Sequence, residues 1–413
     1  MMKFRTLLST AAILAAMQIP TASLAADTVK IGTLFPMSGP MALLGNEAFQ
    51  AADIAREMVN EQGGVLGKQI EFATADAPDP TSANAEATRL IIREKVPVIA
   101  GSYSSALSLA ASEVAERENV LYWETVAVAD KITERDYKNI VRLTFNSSMM
   151  GVTAAQFAKD IAGSLGKEPK DLRIGIISED SEFGQSVGDA AADETKKLGM
   201  QLVANEHYSR TVTDLSSLVL TLKAKQPDVV IATSYLNDGI LFWRQARELD
   251  LNVDAMIGIG TGYALPDFLK ATGQYANGIF DIDAPSSLNV AALPEATQKL
   301  YKDFTQRFQE KTKRDPGPLA YITFGGFWTL FNQVIPTAGS MDPAVLRKVA
   351  GELDMPAGSL LTGAGVQINE AGQNERALIS VMQWQDEKLE VVWPRDIAVK
   401  EPIMLPLPNW DKR

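Results

Sequence analysis

Short runs of apolar and β-branched residues alternate with longer amphipathic segments along this sequence, and the series runs through the chain twice. Strand-like runs lie at 29–35, 69–75, 96–100 and 120–124 in the first series, and at 172–178, 201–205, 228–233 and 255–259 in the second. Helical patterns such as 47–61, 80–94 and 105–118 separate them. Strands that alternate with helices form parallel sheets with helices on both faces. We therefore predict an α/β protein with two doubly wound lobes.

The later part of the chain is predicted to complete both lobes. Residues 278–285 lack helical periodicity, whereas 294–313 and 319–335 have it and are predicted to return to the first lobe. The tail segments 363–369, 377–385 and 388–393 resemble antiparallel strands that close the second lobe. Three passages between lobes, near residues 146, 281 and 360, predict a three-segment hinge. Lobe one then comprises 27–146 and 282–360, and lobe two 147–281 and 361–413. Two domains in simple succession are the alternative.

The first 26 residues have the pattern of a cleaved secretory signal peptide. Lys3 and Arg5 precede an apolar stretch, Pro20 follows it, and small residues lead to cleavage after Ala25 or Ala26. A retained membrane anchor is the alternative, but the apolar stretch is short for a bilayer span. The chain has no cysteine, so it has no thiol for a lipid anchor. We predict a protein that is free in the periplasm and is not a lipoprotein.

Composition excludes several classes of function. Residues from 27 onward carry 37 Lys and Arg against 51 Asp and Glu, a net charge near −14, which makes nucleic acid an improbable partner. Without cysteine the chain forms no disulfide, cysteine metal site or iron–sulfur cluster. No His, Asp and Glu cluster has the spacing of metal ligands. We therefore expect neither a metal nor a cofactor.

Two enzyme-like motifs lack the context that they require. Gly184-Gln-Ser186-Val-Gly188 matches the nucleophile elbow of hydrolases, but Ser186 lies well beyond the preceding strand, in a predicted helix. The single histidine, His207, lies in or near a strand with no sign of meeting Ser186. The glycines from Gly258 to Gly262 lack the spacing and the acidic partner of a dinucleotide site. We expect no catalytic residues and no enzymatic activity.

The segment Gly101-Ser-Tyr-Ser-Ser105 follows a predicted parallel strand and begins a helix. Ligands of such sheets bind beyond the carboxyl ends of the strands. Ser104 or Ser105 can cap the helix, whose first backbone N–H groups attract an anion. From the motif alone, an ordinary helix cap is the favoured interpretation.

Several segments resemble the branched-chain amino acid binding protein family of ABC importers. They lie in the order and at the spacing of that family across about residues 29–385: Pro36-Met-Ser-Gly-Pro-Met-Ala-Leu-Leu-Gly45, Asn60-Glu-Gln-Gly-Gly64, Asp76 with Pro80, Gly101–Ser105, Phe183-Gly184, Tyr235 and Trp243-Arg-Gln-Ala-Arg247. The resemblance implies the type I periplasmic-binding fold, with a ligand between two hinged lobes. It also implies that Ser105 binds the ligand carboxylate and that Tyr235 reaches it from lobe two. The predicted ligand site comprises Leu44, Tyr103, Ser104, Ser105, Glu124, Val126, Val128, Phe183, Tyr235 and Gly260.

This sequence departs from the family where the ligand's ammonium group is held. Leu44 replaces a tyrosine, Val128 replaces a threonine, and Gly258-Ile-Gly-Thr-Gly262 stands where the family has a carboxylate. A buried ammonium without a partner costs several kcal/mol. One hypothesis is an aliphatic amino acid with Glu124 as the counter-ion, and with Tyr122 or Trp123 in the pocket wall. The other hypothesis is an amine-free aromatic or keto acid.

The predicted function is that of a substrate-binding protein. It would be a monomer that binds a small, amino-acid-like carboxylate and delivers it to an ABC permease with its ATPase at the inner membrane. The alternative is a module that reports its ligand to a sensor or regulator, since the same two-lobed architecture serves both.

Overall fold

The computed structural model describes residues 28–413 as two lobes, each built on its own sheet. The predicted signal peptide, residues 1–26, lies outside the described residues. The first sheet contains β1 (Thr28–Phe35), β2 (Gln69–Asp76), β3 (Val98–Gly101), β4 (Leu121–Glu124) and β5 (Ile140–Arg142). Its strands are all parallel, in the order β2-β1-β3-β4-β5.

The second sheet has seven strands in the order β12-β11-β10-β9-β8-β6-β7. They are β6 (Arg173–Glu179), β7 (Gln201–Tyr208), β8 (Val229–Thr233), β9 (Ala255–Ile259), β10 (Phe280–Asp283), β11 (Ser380–Gln385) and β12 (Lys388–Trp393). Strands β6 to β10 are parallel, and β11 and β12 add antiparallel to β10. The predicted α/β architecture is thus confirmed.

Helices cover both faces of each sheet. The first lobe has α1 (Ala42–Glu61), α2 (Pro80–Ile92), α3 (Ser105–Arg117), α10 (Glu295–Thr312), α11 (Pro318–Thr329), α12 (Ile335–Ala338) and α13 (Pro343–Gly351), with a π-helical turn at Leu330–Val334. The second lobe has α4 (Ser147–Ile161), α5 (Glu182–Lys197), α6 (Ser216–Lys225), α7 (Leu236–Glu248), α8 (Thr261–Ala264) and α9 (Pro266–Thr272). Among residues 28–413, no helix combines the length and the apolar character needed to cross a membrane.

Local sequence explains where several of these elements begin. Asp79 caps α2 by accepting the backbone N–H of Ser82, and Asn146 caps α4 by accepting that of Met149. Short polar side chains at this position satisfy N–H groups that a helix start leaves free. Strand β6 buries Ile174 and Ile176 on one face and Ile177 on the other, as expected for a sheet covered on both sides.

Two elements differ from the sequence-based expectation. The tail segment 363–369 is not a strand, because it forms only isolated bridges, Met355 with Val366 and Ile368 with Asn374. Strand β5 was not expected, and its three residues are too few to give a periodic pattern. Both belong to the region where the chain passes between lobes.

Two of the passages between lobes lie side by side. Arg142, at the end of β5, donates its backbone N–H to Gly372 O at 2.7 Å and accepts from Asn374 N at 3.0 Å. Asn374 Nδ2 also donates to Leu143 O at 2.8 Å. The remaining passage follows β10 and leads to α10. The lobe boundaries near residues 146, 281 and 360 stay a prediction.

A fully buried arginine joins these two passages. The Arg142 guanidinium donates to Gln373 Oε1 at 2.6 Å, Ala129 O at 2.7 Å and Thr133 Oγ1 at 2.9 Å. Burial lowers the pKa of Arg142 to about 10, so it stays charged at neutral pH. Hydrogen bonds that the guanidinium donates to neutral acceptors therefore have to replace its hydration.

Gln373→Leu is expected to destabilise the protein by about 2–4 kcal/mol, because it leaves the Arg142 Nε and the Thr144 carbonyl without partners. Urea unfolding measures the change as a lower midpoint. The matched control is Gln62→Leu at an exposed site, with an expected change within about 0.5 kcal/mol. Equal effects of the two substitutions would show that the Arg142–Gln373 contact adds no stability.

Candidate functional site

A small cavity, about 40 Å³ in this conformation, lies between the two lobes. Segments at the carboxyl ends of seven parallel strands line it: those at the end of, or directly after, β3, β4, β5, β6, β8, β9 and β10. The lining residues are Tyr103, Ser105, Val126, Val128, Phe145, Met150, Phe183, Ser234, Tyr235, Gly260, Thr261, Asp283 and Ile322. Ligands of open parallel sheets bind at this edge, so the cavity is the candidate binding site.

The start of α3 forms one polar wall of the cavity. Ser104 occupies the N-cap position with extended backbone, φ −89° and ψ 130°, but its side chain makes no capping hydrogen bond. Its buried Oγ lies near Tyr235 and has no hydrogen-bond partner. Ser105 faces the cavity, and its Oγ accepts the Ala129 N–H at 3.1 Å, which leaves its own proton to donate. The wall thus offers a hydroxyl and first-turn N–H groups to an anion.

Three aromatic rings meet across the cleft. The Tyr235 ring centroid lies 5.5 Å from Phe183 and 6.1 Å from Tyr103, a residue of the opposite lobe. Burial raises the pKa of Tyr235 to about 12 and that of Tyr103 well above its usual value, so both hydroxyls stay neutral and can donate to a ligand. Tyr103 has a φ of 94°, which is rare for a residue with a side chain and typical of functional loops.

A carboxylate stands at the end of β10 in the wall of the cavity. Asp283 Oδ1 accepts the backbone N–H of Ala284 at 2.7 Å, and Oδ2 accepts the Thr261 hydroxyl at 2.8 Å. Each oxygen therefore retains a lone pair. Asp283 is 3% exposed, and burial raises its pKa to about 6, so it is largely ionised at neutral pH. A buried negative charge beside a cavity favours a cationic group there.

The rest of the lining is mostly apolar. Val126, Val128, Phe145, Met150 and Ile322 provide its aliphatic and aromatic surface. Gly260 has a φ of 111°, and a Cβ atom at this position would lie 3.0 Å from the Phe183 ring. Glycine thus permits both the backbone conformation and the close approach of the ring.

Glu124 does not take the role that the sequence analysis gave it as an ammonium counter-ion. It is fully buried and is absent from the cavity lining. Its oxygens accept the backbone N–H groups of Ser102 at 3.0 Å and of Val126 and Ala127 at 2.8 Å, and the hydroxyl of Ser108. Burial raises the pKa of Glu124 to about 7. Glu124 therefore connects the loops after β3 and β4 through hydrogen bonds, and it does not face the cavity.

Other predicted residues also lie away from the cavity. Leu44 lines a neighbouring cavity, which shares Tyr235 with this one. Trp123 and Tyr122 are fully buried, with Trp123 Nε1 donating to Gly326 O and the Tyr122 hydroxyl to Ser108 Oγ. The expectation that one of the pair walls the pocket was wrong, because packing against α3 and α11 takes both rings inward.

Seven of the predicted residues do lie together in the lining: Tyr103, Ser105, Val126, Val128, Phe183, Tyr235 and Gly260. Sequence analysis missed Phe145, Met150, Ser234, Thr261, Asp283 and Ile322. Asp283 had a signal that was overlooked. It lies in the non-helical run 278–285 and ends strand β10, so assigning that run as a parallel strand would have placed a carboxylate at the ligand edge.

The hydrolase-like motif is structural. Ser186 lies inside α5, where its hydroxyl contacts Ser147 and donates to Asp130 Oδ2 at 3.1 Å. His207 Nδ1 instead shares a hydrogen bond of 2.9 Å with Ser178 Oγ. Within residues 28–413, no group of three or more His, Asp or Glu side chains is placed to hold a metal ion.

Glu124→Ala is expected to destabilise the protein by about 3 kcal/mol or more, because it leaves three backbone N–H groups and the Ser108 hydroxyl without their acceptor. Urea unfolding measures the loss. Glu248→Ala, at an exposed position of α7, is the control and should change stability by no more than about 0.5 kcal/mol. An unchanged urea midpoint for Glu124→Ala would show that the hydrogen bonds to Glu124 do not stabilise these loops.

Comparison with known proteins is consistent with this geometry. A family model described as "Periplasmic binding protein" matches residues 28–388. The Leu/Ile/Val-binding protein homolog 8 of Brucella abortus is 38% identical over 383 residues, which cover 92% of this chain and 93% of the relative.

Solved structures share the fold at lower sequence identity. The branched-chain amino acid transporter substrate-binding protein LivJ from Streptococcus pneumoniae, in complex with isoleucine, has a TM-score of 0.74 and 21% identity, covering 89% of this chain and 100% of LivJ. An ABC transporter solute-binding protein from Rhodopseudomonas palustris, in complex with 3,4-dihydroxybenzoic acid, has a TM-score of 0.74 and 23% identity, covering 91% of this chain and 99% of that protein.

The family match spans most of the chain, and the two-lobed structure agrees with it. Members of this family bind solutes without chemical turnover and act in the periplasm or outside the cell. This chain belongs to the periplasmic binding protein family, as a non-enzymatic, substrate-binding protein of the type I fold.

Proposed function

We propose that this protein binds a small α-amino acid in the cavity between its lobes. One observation carries the proposal: the cavity has an anion-binding helix start at Ser105 and a buried, ionised carboxylate at Asp283. An α-amino acid presents the complementary pair of charges on adjacent groups. Its carboxylate would bind the first turn of α3 and its ammonium would bind Asp283.

Asp283 removes the difficulty that the sequence analysis raised. The chain lacks the family's carboxylate at 258–262, and Glu124 is occupied by backbone N–H groups. Asp283 retains free lone pairs and lines the cavity. An amine-free acid would instead place its only charge near a carboxylate of the same sign, which costs free energy in a buried site.

We also propose that the protein delivers its ligand to an ABC permease and its ATPase. Similar structures include substrate-binding proteins of ABC transporters, and the two-lobed architecture suits ligand capture and release. We expect the protein to act as a periplasmic monomer. Uptake of the ligand by cells that lack this chain should fall, and the wild-type gene should restore it.

A thermal-shift panel tests the ligand class. Ligands that bind only the folded state raise the midpoint in proportion to RT ln(1 + [L]/Kd). We expect a shift with leucine, isoleucine or other α-amino acids, and none with the matched 2-hydroxy and 2-oxo acids or with 3,4-dihydroxybenzoic acid. A shift with the 2-oxo or benzoate-type acids alone would replace the amino acid proposal with the amine-free alternative.

Asp283→Asn should weaken binding of the amino acid that gives the largest shift, because it removes the counter-charge of the ammonium. In the wild type, affinity should fall about tenfold from about pH 7.5 to about pH 5, since a carboxyl group with a pKa of about 6 becomes protonated over that range. Calorimetry at several pH values measures both effects. The Asn variant should bind weakly at every pH in the range.

The control for Asp283 is Asp189→Asn, an exposed carboxylate on α5 of the same lobe. It changes the net charge equally and should retain both the wild-type affinity and its fall at low pH. Affinity of Asp283→Asn equal to that of the wild type would rule out Asp283 as the counter-ion.

A further inference from the structure

A second cavity, of about 340 Å³, lies beside the first and also spans the cleft. Tyr235 lines both cavities, so they meet at this side chain. Lobe one contributes residues 39–41, 43, 44 and 78, and lobe two contributes 210, 211 and 235–238. The first cavity, at about 40 Å³, holds roughly three water-sized groups in this conformation. A ligand with a longer side chain would therefore have to extend past Tyr235.

Arg210 is the only cationic residue in the lining of this second cavity. Its guanidinium carbon lies 5.5 Å from the Tyr235 ring centroid, and its Nη1 lies 3.8 Å from Met41 Sδ in the opposite lobe. Across the part of the chain that the structure describes, no carboxylate oxygen lies within 4.0 Å of its guanidinium nitrogens. The guanidinium thus faces the cavity with N–H donors free.

Among the described residues, no acidic side chain near Arg210 accepts a hydrogen bond from its guanidinium, although the guanidinium charge acts on Glu179. Asp180 Oδ1 accepts the backbone N–H of Arg210 at 3.3 Å, and Glu179 is held by Ser181 and Gly184. Asp238, in the cavity wall, accepts the Tyr208 hydroxyl at 2.7 Å and the Tyr235 N–H at 3.3 Å. Burial raises the pKa of Asp238 to about 7, which weakens its repulsion of an incoming anion.

The remaining walls suit the methylene groups of a ligand. Met41 and Leu44 are buried, while Leu43 is 38% exposed at the edge of the cavity. A side chain that passes between them can bury apolar carbons before it reaches the guanidinium.

We propose that this second cavity is a subsite for the distal carboxylate of a dicarboxylic α-amino acid, with Arg210 as the residue that selects it. The inference rests on the proposed function, since the α-amino and α-carboxylate groups occupy the first cavity. Planar guanidinium and carboxylate groups form paired, charge-assisted hydrogen bonds. Arg210 therefore determines specificity, whereas Ser105 and Asp283 bind the part that all amino acids share.

Calorimetry with two matched ligand pairs tests the subsite: glutamate against 2-aminopentanoate, and 2-aminohexanedioate against 2-aminohexanoate. Within each pair the chain length is equal and only the distal carboxylate differs. The wild type should bind at least one dicarboxylic member about tenfold or more tightly than its neutral partner. In Arg210→Gln that ratio should fall to about one, and Arg210→Lys should retain part of it. Arg244→Gln, an exposed arginine on α7, should keep the wild-type ratio.

Each other outcome overturns a distinct claim. Neutral amino acids that bind as tightly as their dicarboxylic partners would overturn the subsite and leave the proposed function intact. If Arg210→Gln weakens the binding of both members of a pair equally, Arg210 only stabilises the closed cleft through its contacts with Tyr235 and Met41. Absence of binding by all four compounds, and by the amino acids of the thermal-shift panel, would overturn both proposals.

Discussion

Parallel strands end at one edge of their sheet, and in this protein the two sheets turn those edges towards each other. Most of the lining residues from Tyr103 to Asp283 follow from this constraint, since the carboxyl ends of β3, β4, β5, β6, β8, β9 and β10 meet in one cleft. Helix α3 starts at the same edge, so its N-terminus points into the cleft. The site is therefore a product of the sheet topology before any individual side chain is considered.

Buried carboxylates serve different purposes depending on what their oxygens contact. Glu124 accepts hydrogen bonds from three backbone N–H groups and a hydroxyl, so its oxygens are already satisfied within the protein. Asp283 accepts only two hydrogen bonds and faces a cavity, so it can bind a further donor. Both carboxyl groups have raised pKa values because burial penalises the charged form. Burial alone therefore does not distinguish a structural acid from a binding one, whereas the number of free lone pairs does.

Neutral polar groups satisfy a buried charged side chain where the chain passes between the lobes. Arg142 is fully buried without a carboxylate in hydrogen-bond contact, and neutral oxygens of Gln373, Ala129 and Thr133 surround it. Pairing of 372–374 with β5 extends the first sheet at the point where the chain leaves it. Such hydrogen bonds join two passages between the lobes at the place where the sequence predicts a hinge.

The sequence predicted the α/β class, the two series of strands, the bounds of helices such as α2 and α3, and the family, because these follow from periodicity, capping residues and ordered motifs. It also identified seven lining residues, through the resemblance and the loops at strand ends. The tertiary structure alone distinguishes Glu124, whose oxygens accept backbone N–H groups, from Asp283, which lines the cavity. Both end parallel strands, and a sequence does not show which backbone N–H groups will point at a carboxylate. The same limit applies to Arg210. Its neighbour Tyr235 lies 25 positions away in the same lobe, and its neighbour Met41 lies 169 positions away and meets it only where the two lobes come together.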